Sequence, residues 1–137
     1  MKWPVARLGD EVTIKGGGTP SRRRTEFYQG DIPWATIKDL TDLYLERTEE
    51  HITQEALDSS AANLIPASNV ILATRVGLGK VAINTIDVAI NQDLKALFCS
   101  PRLHPKYLVY YLTSLSDTIE RQGVGATVKE ITLSSGF

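Results

Sequence analysis

Apolar and polar positions alternate in short runs along most of this chain, and only near its C-terminal third do they settle into a helical period. Val5–Ile14 opens with brief apolar alternation, then breaks at Lys15-Gly16-Gly17-Gly18-Thr19-Pro20-Ser21, where three glycines and a proline disfavour helix and strand alike. Ile32-Pro33-Trp34-Ala35-Thr36-Ile37 reads as a strand, with Pro33 near its start or on an edge because proline cannot donate to a ladder. Thr53 can cap a helix running to about Leu64, with Leu57, Ala61 and Leu64 at helical spacing and Pro66 stopping it. A block of short strands follows: Asn69–Val76, a turn at Gly77-Leu78-Gly79, then Lys80–Asn84, Val88–Asn91 and Leu94–Phe98. The clearest helix starts at Pro105, a favoured first helical position, and places Leu108, Tyr111, Leu112, Leu115 and Ile119 on one stripe. Gly123 and Gly125 end it, and Val128–Leu133 reads as a last strand. Strands in a block with helices outside them predict an α+β fold: a mixed, twisted, β-rich core with two or three flanking helices.

Length and composition narrow the class. At 137 residues, 42% hydrophobic and 23% charged, the chain suits one domain spanning 1–137. No apolar run approaches the roughly 18 residues that would span a bilayer. Met1-Lys2-Trp3-Pro4-Val5 lacks the apolar core of a signal peptide, and the lone Cys99 fits a reducing compartment, so a cytoplasmic protein is expected. The net charge of −1 is unevenly spread. Residues 39–58 hold seven acids (Asp39, Asp42, Glu46, Glu49, Glu50, Glu55, Asp58) against Arg47 alone, a local −6, and the remaining 14 bases and 9 acids leave +5. That asymmetry permits a positive face with the acidic segment turned away from phosphate; charges scattered over a solvated surface fit the same numbers.

Most catalytic signatures fail. Gly77-Leu78-Gly79-Lys80 resembles the end of a phosphate-binding loop, but Thr74 stands where that motif needs glycine and Val81 where it needs Ser or Thr. Gly77, Gly79 and Ala82 mimic a dinucleotide fingerprint, which must open a helix, whereas Val81-Ala82-Ile83 is strand-like. His51, His104 and Cys99 lack metal-ligand spacing, and no Gly-x-Ser-x-Gly elbow carries a nucleophile. Asp93-Leu94-Lys95 with Asp87 upstream could form a small Mg²⁺-dependent nuclease centre, carboxylates holding the ion and the lysine orienting the nucleophile. Alternating polar positions on a strand are the plainer reading of the same residues.

What remains suits nucleic acid. Lys15 and Thr19 in the glycine loop and Arg22-Arg23-Arg24 beyond it join close backbone approach to a guanidinium cluster. Lys38 follows the first long strand, Arg75 and Lys80 flank the Gly77–Gly79 turn, and Asn91, Gln92 and Lys95 form a polar cluster on short strands. Thr127 and Lys129, after Gly123-Val124-Gly125, form a further contact point. Arginine and lysine neutralise phosphates, while Asn, Gln, Arg and Lys can read base edges in the major groove. Glycine loops that are only turns, and solvated arginines, are the competing explanation.

The order of the segments adds a resemblance. Trp3–Ile14 with Lys15-Gly16-Gly17-Gly18-Thr19-Pro20-Ser21, then Tyr28-Gln29-Gly30-Asp31-Ile32-Pro33-Trp34-Ala35-Thr36-Ile37-Lys38-Asp39-Leu40, resemble a target-recognition domain of the specificity subunit of type I restriction–modification systems. Ile52-Thr53, Leu64-Ile65-Pro66-Ala67, Thr74-Arg75-Val76-Gly77 and Gly79-Lys80-Val81-Ala82-Ile83 are similar to that family in the same order. So are Ala89-Ile90-Asn91-Gln92-Asp93-Leu94-Lys95-Ala96-Leu97 and Gly123-Val124-Gly125-Ala126-Thr127-Val128-Lys129-Glu130-Ile131. The resemblance implies a non-catalytic domain that recognises one half of a bipartite target in double-stranded DNA. It implies modification (methyltransferase) and restriction subunits as partners, with S-adenosylmethionine, ATP and Mg²⁺ used only by them. Family subunits carry two such domains joined by long helices, and this chain, with one, is expected to stop before the spacer helix. The alternatives are the nuclease of Asp87, Asp93 and Lys95 and a fragment that binds partner subunits without touching DNA. For DNA recognition the basic loop tips and the amide-bearing strand must converge on one surface.

Overall fold

The run Val70-Ile71-Leu72-Ala73 is buried at every position, and its two faces set the layering of the molecule. In the computed structural model, which describes residues 6–7, 11–75, 79–114 and 132–133, it forms β7 (Val70–Ala73) in the middle of a five-stranded sheet. That sheet also holds β2 (Val12–Lys15), β4 (Tyr44–Leu45), β8 (Val81–Asn84) and β10 (Leu94–Cys99), in the order β2-β10-β7-β8-β4. A four-stranded sheet contains β3 (Ile32–Ala35), β5 (Glu50–Ile52), β6 (Leu64–Ile65) and β9 (Val88–Ile90), ordered β5-β3-β9-β6. β3 runs parallel to β9 and β4 parallel to β8, while the other pairings among described residues are antiparallel. β1 (Ala6–Arg7) pairs with β11 (Thr132–Leu133).

Val70 and Leu72 pack with Leu97 against Leu108, Val109 and Leu112 of a helix, Pro105–Ser114. Ile71 and Ala73 face the other way and meet Ala35, Ile65, Val88 and Ile90 of the second sheet. Beyond that sheet, Trp34, Ile52 and Ala89 pack on Phe27 and on Ala56 of the short helix α1 (Gln54–Asp58). The longer helix is α2. The succession is therefore helix, sheet, sheet, helix, and strands covered on both faces read as continuous apolar runs rather than clean alternation.

The α+β expectation holds, with the strands divided between two stacked sheets. Element ends move where polar side chains seize the backbone. The strand at Ile32 stops at Ala35 because Asp39 accepts from the amide of Thr36 at 2.9 Å and starts a single 3₁₀ turn. Pro33 is at the second position of β3, an interior strand, so the proline marks its start and not an edge. Thr53 does cap a helix, accepting from Ala56 N at 3.1 Å, but the helix ends at Asp58 and not near Leu64. Ser59 and Ser60 turn their hydroxyls back onto the carbonyls of Glu55 and Ala56, both at 2.8 Å, and Leu64–Ile65 leaves to pair with β9. Local side-chain capture of this kind competes with helix propagation. The strand predicted to reach Val76 ends at Ala73, since Thr74 gives its amide and its hydroxyl to the Asp93 carbonyl. Leu108 and Leu112 of the predicted stripe are buried and Tyr111 half-buried, whereas Leu115, Ile119, Gly123 and Gly125 lie outside the described residues.

Candidate functional site

Four strand ends meet at one end of the five-stranded sheet: β2 and β7 finish there while β8 and β10 begin, as the pairings Ala96 with Lys15, Leu94 with Ala73 and Leu72 with Val81 require. The second sheet contributes the C-terminal ends of β3 and β9, bound by Asn91 N to Ala35 O at 3.1 Å. Loops leaving these ends carry most of the residues singled out from sequence.

The glycine loop is welded to this end by backbone contacts. Gly18 N donates to Ile90 O at 3.1 Å, and a Cβ at Gly17 would overlap the carbonyl oxygens of Ile90 and Asn91. Asn63 Nδ2 holds Gly16 O at 2.8 Å, and buried Trp34 donates from Nε1 to Gly18 O at 3.1 Å. Glycine is needed at position 17 because the approach leaves no room for a side chain. Opposite it, residues 91–94 make a tight turn, with Leu94 N on Asn91 O and Asp93 N on Asn91 Oδ1 at 3.0 Å. Thr19 closes the two loops on each other, its hydroxyl donating to Gln92 Oε1.

Cations lie on the loops and strand ends at this junction. The Lys95 ammonium lies over Gly16, close enough that a Cβ there would be 2.9 Å from Nζ. Lys15 ends β2 and projects over the Phe98 ring at 5.7 Å. Arg75, largely exposed, leans toward Asp93 at 3.9 Å. Lys80 is exposed, and its carbonyl accepts from Ala73 N at 2.9 Å, which fixes the far side of the 74–80 connection. Gly79 there takes φ 91°, a conformation glycine adopts without cost.

The arginine triplet is divided. Arg22 stacks over Tyr28 and Trp34, at 4.3 and 5.1 Å from the ring centroids, and pairs with Glu50 at 2.7 Å. Through Trp34 it adjoins the glycine loop. Its hydrogen bond to Glu50 raises the guanidinium pKa and lowers that of the carboxylate, while burial raises the phenol of Tyr28. Arg24 lies instead over Phe27 and pairs with Glu55 of α1 at 3.0 Å, and Arg23 is exposed with no ion pair among the described residues. Lys38, exposed in the 3₁₀ turn after β3, reaches Glu49 at 3.9 Å.

The acidic segment does not turn away from the bases: Glu49, Glu50 and Glu55 sit against Lys38, Arg22 and Arg24. Asn91 is buried, and its Oδ1 braces the 91–94 turn. The nuclease trio does not assemble. Asp87 and Asp93 flank β9 at its two ends, Asp87 accepts from Ala67 N at 2.9 Å, Asp93 faces Arg75 and Lys95 faces Gly16. Thr127 and Lys129 lie outside the described residues. Asn63 and Trp34 were not foreseen as loop anchors, and no local motif marks them because both bonds span long stretches of chain. No helix among the described residues is long and apolar enough to cross a membrane.

A family model described as the type I restriction modification DNA specificity domain matches residues 1–135. The chain belongs to that family. It is 35% identical over 126 residues to the Type I restriction enzyme EcoR124I/EcoR124II specificity subunit of Escherichia coli, covering 88% of this chain and 31% of the relative. Against the MjaIX specificity subunit of Methanocaldococcus jannaschii it is 30% identical over 134 residues, covering 94% and 31%. The fold is similar to the HsdS subunit from Thermoanaerobacter tengcongensis, with a TM-score of 0.76 at 19% identity over 97% of this chain and 33% of that one. A chain from a structural study of complex assembly and conformational transition of the type I R-M system gives a TM-score of 0.78 at 18% identity, covering 97% and 34%. This specificity domain thus spans about a third of the length of the relatives it matches.

Proposed function

We propose that this specificity domain binds double-stranded DNA through the strand-end face and recognises one half of a bipartite target. The supporting observation is the junction of Thr19 with Gln92, with Lys95 and Arg75 against its loops and Lys15 and Lys80 on the adjoining strand ends: exposed polar side chains on a braced backbone, with cations nearby. Cations at the rim hold phosphates and fix register, leaving the polar centre to meet base edges. Arg22, Lys38 and Arg75, each paired with a carboxylate, contribute through exchange of those partners, and Arg23 makes no ion pair among the described residues. Thr127 and Lys129 stay in the proposal as contacts from the C-terminal part of the chain.

In this reading the domain does no chemistry. Methyl transfer with S-adenosylmethionine, and ATP- and Mg²⁺-dependent translocation and cleavage, belong to modification and restriction subunits that it directs in the cytoplasm. The test is selection of bound duplexes from a random pool with the 137-residue chain. Enrichment of one short half-site is expected, and a pool that stays random, with no salt-sensitive binding, overturns the proposal.

A further inference from the structure

We propose that Gln92 is a base-reading side chain whose polarity is set by Thr19, so that it recognises a base edge bearing hydrogen-bond acceptors. The inference rests on the DNA-binding reading above and assigns the two residues different tasks. Gln92 is exposed at the apex of the 91–94 turn, whose backbone is held by two bonds to Asn91 and anchored through Asp93 O to Thr74. These bonds restrain the main chain on both sides of the apex. The side-chain amide is fixed as well, because the Thr19 hydroxyl donates to Oε1. Thr19 is in turn held by the seating of Gly17 and Gly18 on Ile90 and Asn91.

A primary amide offers one acceptor oxygen and two N–H donors. With one lone pair of the oxygen taken by Thr19, the two Nε2 hydrogens are the donors that Gln92 has left to offer a base. In the major groove the acceptors are guanine O6 and N7, adenine N7 and thymine O4, whereas cytosine offers only a donor. Guanine, with two adjacent acceptors, matches both Nε2 hydrogens. Arg75 and Lys95 on either side of the turn supply the phosphate contacts that hold the amide at groove depth. Thr19 is a positioning residue in this scheme, touching Gln92 and not the base.

The experiment measures affinity of the full chain for a panel of duplexes that vary one position at a time within the half-site selected from the random pool. Wild type is expected to prefer guanine over cytosine at one position by roughly tenfold. Gln92→Ala levels that position and leaves the others intact. Gln92→Glu, an acceptor-only side chain, shifts the preference toward cytosine. Thr19→Val weakens discrimination there with an unchanged salt slope and melting temperature, and Thr19→Ser restores it. Undiminished discrimination in Gln92→Ala, or wild-type behaviour in Thr19→Val, overturns this inference while leaving DNA binding standing. Absence of any duplex binding by the wild type overturns both.

Discussion

Arg22 illustrates how one side chain can look like a ligand contact and be built into the scaffold. It lies on two aromatic faces and shares its charge with Glu50, so removing it leaves Tyr28 and Trp34 less covered and a carboxylate unpaired. Arg22→Ala and Glu50→Gln should each lower stability by about 1 kcal/mol, measured by urea unfolding at neutral pH. The pH dependence has a definite sign. Glu50 is held below the ordinary glutamate pKa of about 4.3, so its stabilisation is fully present above that value and fades as pH falls through the depressed one. The stability difference between wild type and Glu50→Gln should shrink on acidification below about pH 4, and a constant difference would show that the pair contributes nothing. Cys99 behaves oppositely: burial pushes its thiol up to about 11, leaving little thiolate to react. Alkylation at pH 8 should run roughly a hundredfold slower than for an exposed cysteine. The arginine pairs were not visible along the chain, because Glu50 and Glu55 are 28 and 31 positions from the arginines they meet.

At the scale of elements, the apolar strands were legible, whereas the short strands β4, β5 and β6 and most strand ends were not. Val70–Ala73 and Val88–Ile90 announce themselves as apolar runs because each is covered on two faces. The boundaries depend on Asp39, Ser59, Ser60 and Thr74 choosing backbone partners, one of them 19 residues away. The glycine loop was recognised, but its cause, the overlap of any Cβ at Gly17 with two carbonyls, needed coordinates. Gly17→Ala should displace the loop and cost about 2 kcal/mol in thermal or urea unfolding, more than a glycine merely lying in a turn would. Buried Asn84 joins β8 to the chain around it, its Nδ2 reaching the carbonyls of Ile65, Pro66 and Ile86 and its Oδ1 accepting from Asn69 N. Asn84→Leu strands several buried polar groups at once and is expected to destabilise by at least about 3 kcal/mol.

For the whole molecule, the relevant quantity is where charge sits and not how much there is. A net charge of −1 conceals a strand-end face on which Lys15, Lys80 and Lys95 make no ion pair among the described residues, whereas Arg22, Arg24 and Lys38 do. The acidic segment 39–58 supplies those pairs, so it divides the bases into a neutralised set and a set still available to phosphate. Family membership was readable from the order of motifs, yet the division of labour among the bases depends on contacts between distant loops. Lys106, exposed on the first turn of α2, belongs to a different part of the surface and serves as a control. The most direct measurement is the salt dependence of affinity for the selected duplex in wild type, the Lys80→Ala/Lys95→Ala double variant and Lys106→Ala. Loss of two phosphate contacts should flatten the slope of log affinity against log salt by about 2 in the double variant, with Lys106→Ala unchanged. An identical slope in the double variant and the wild type would contradict the placement of DNA on this face.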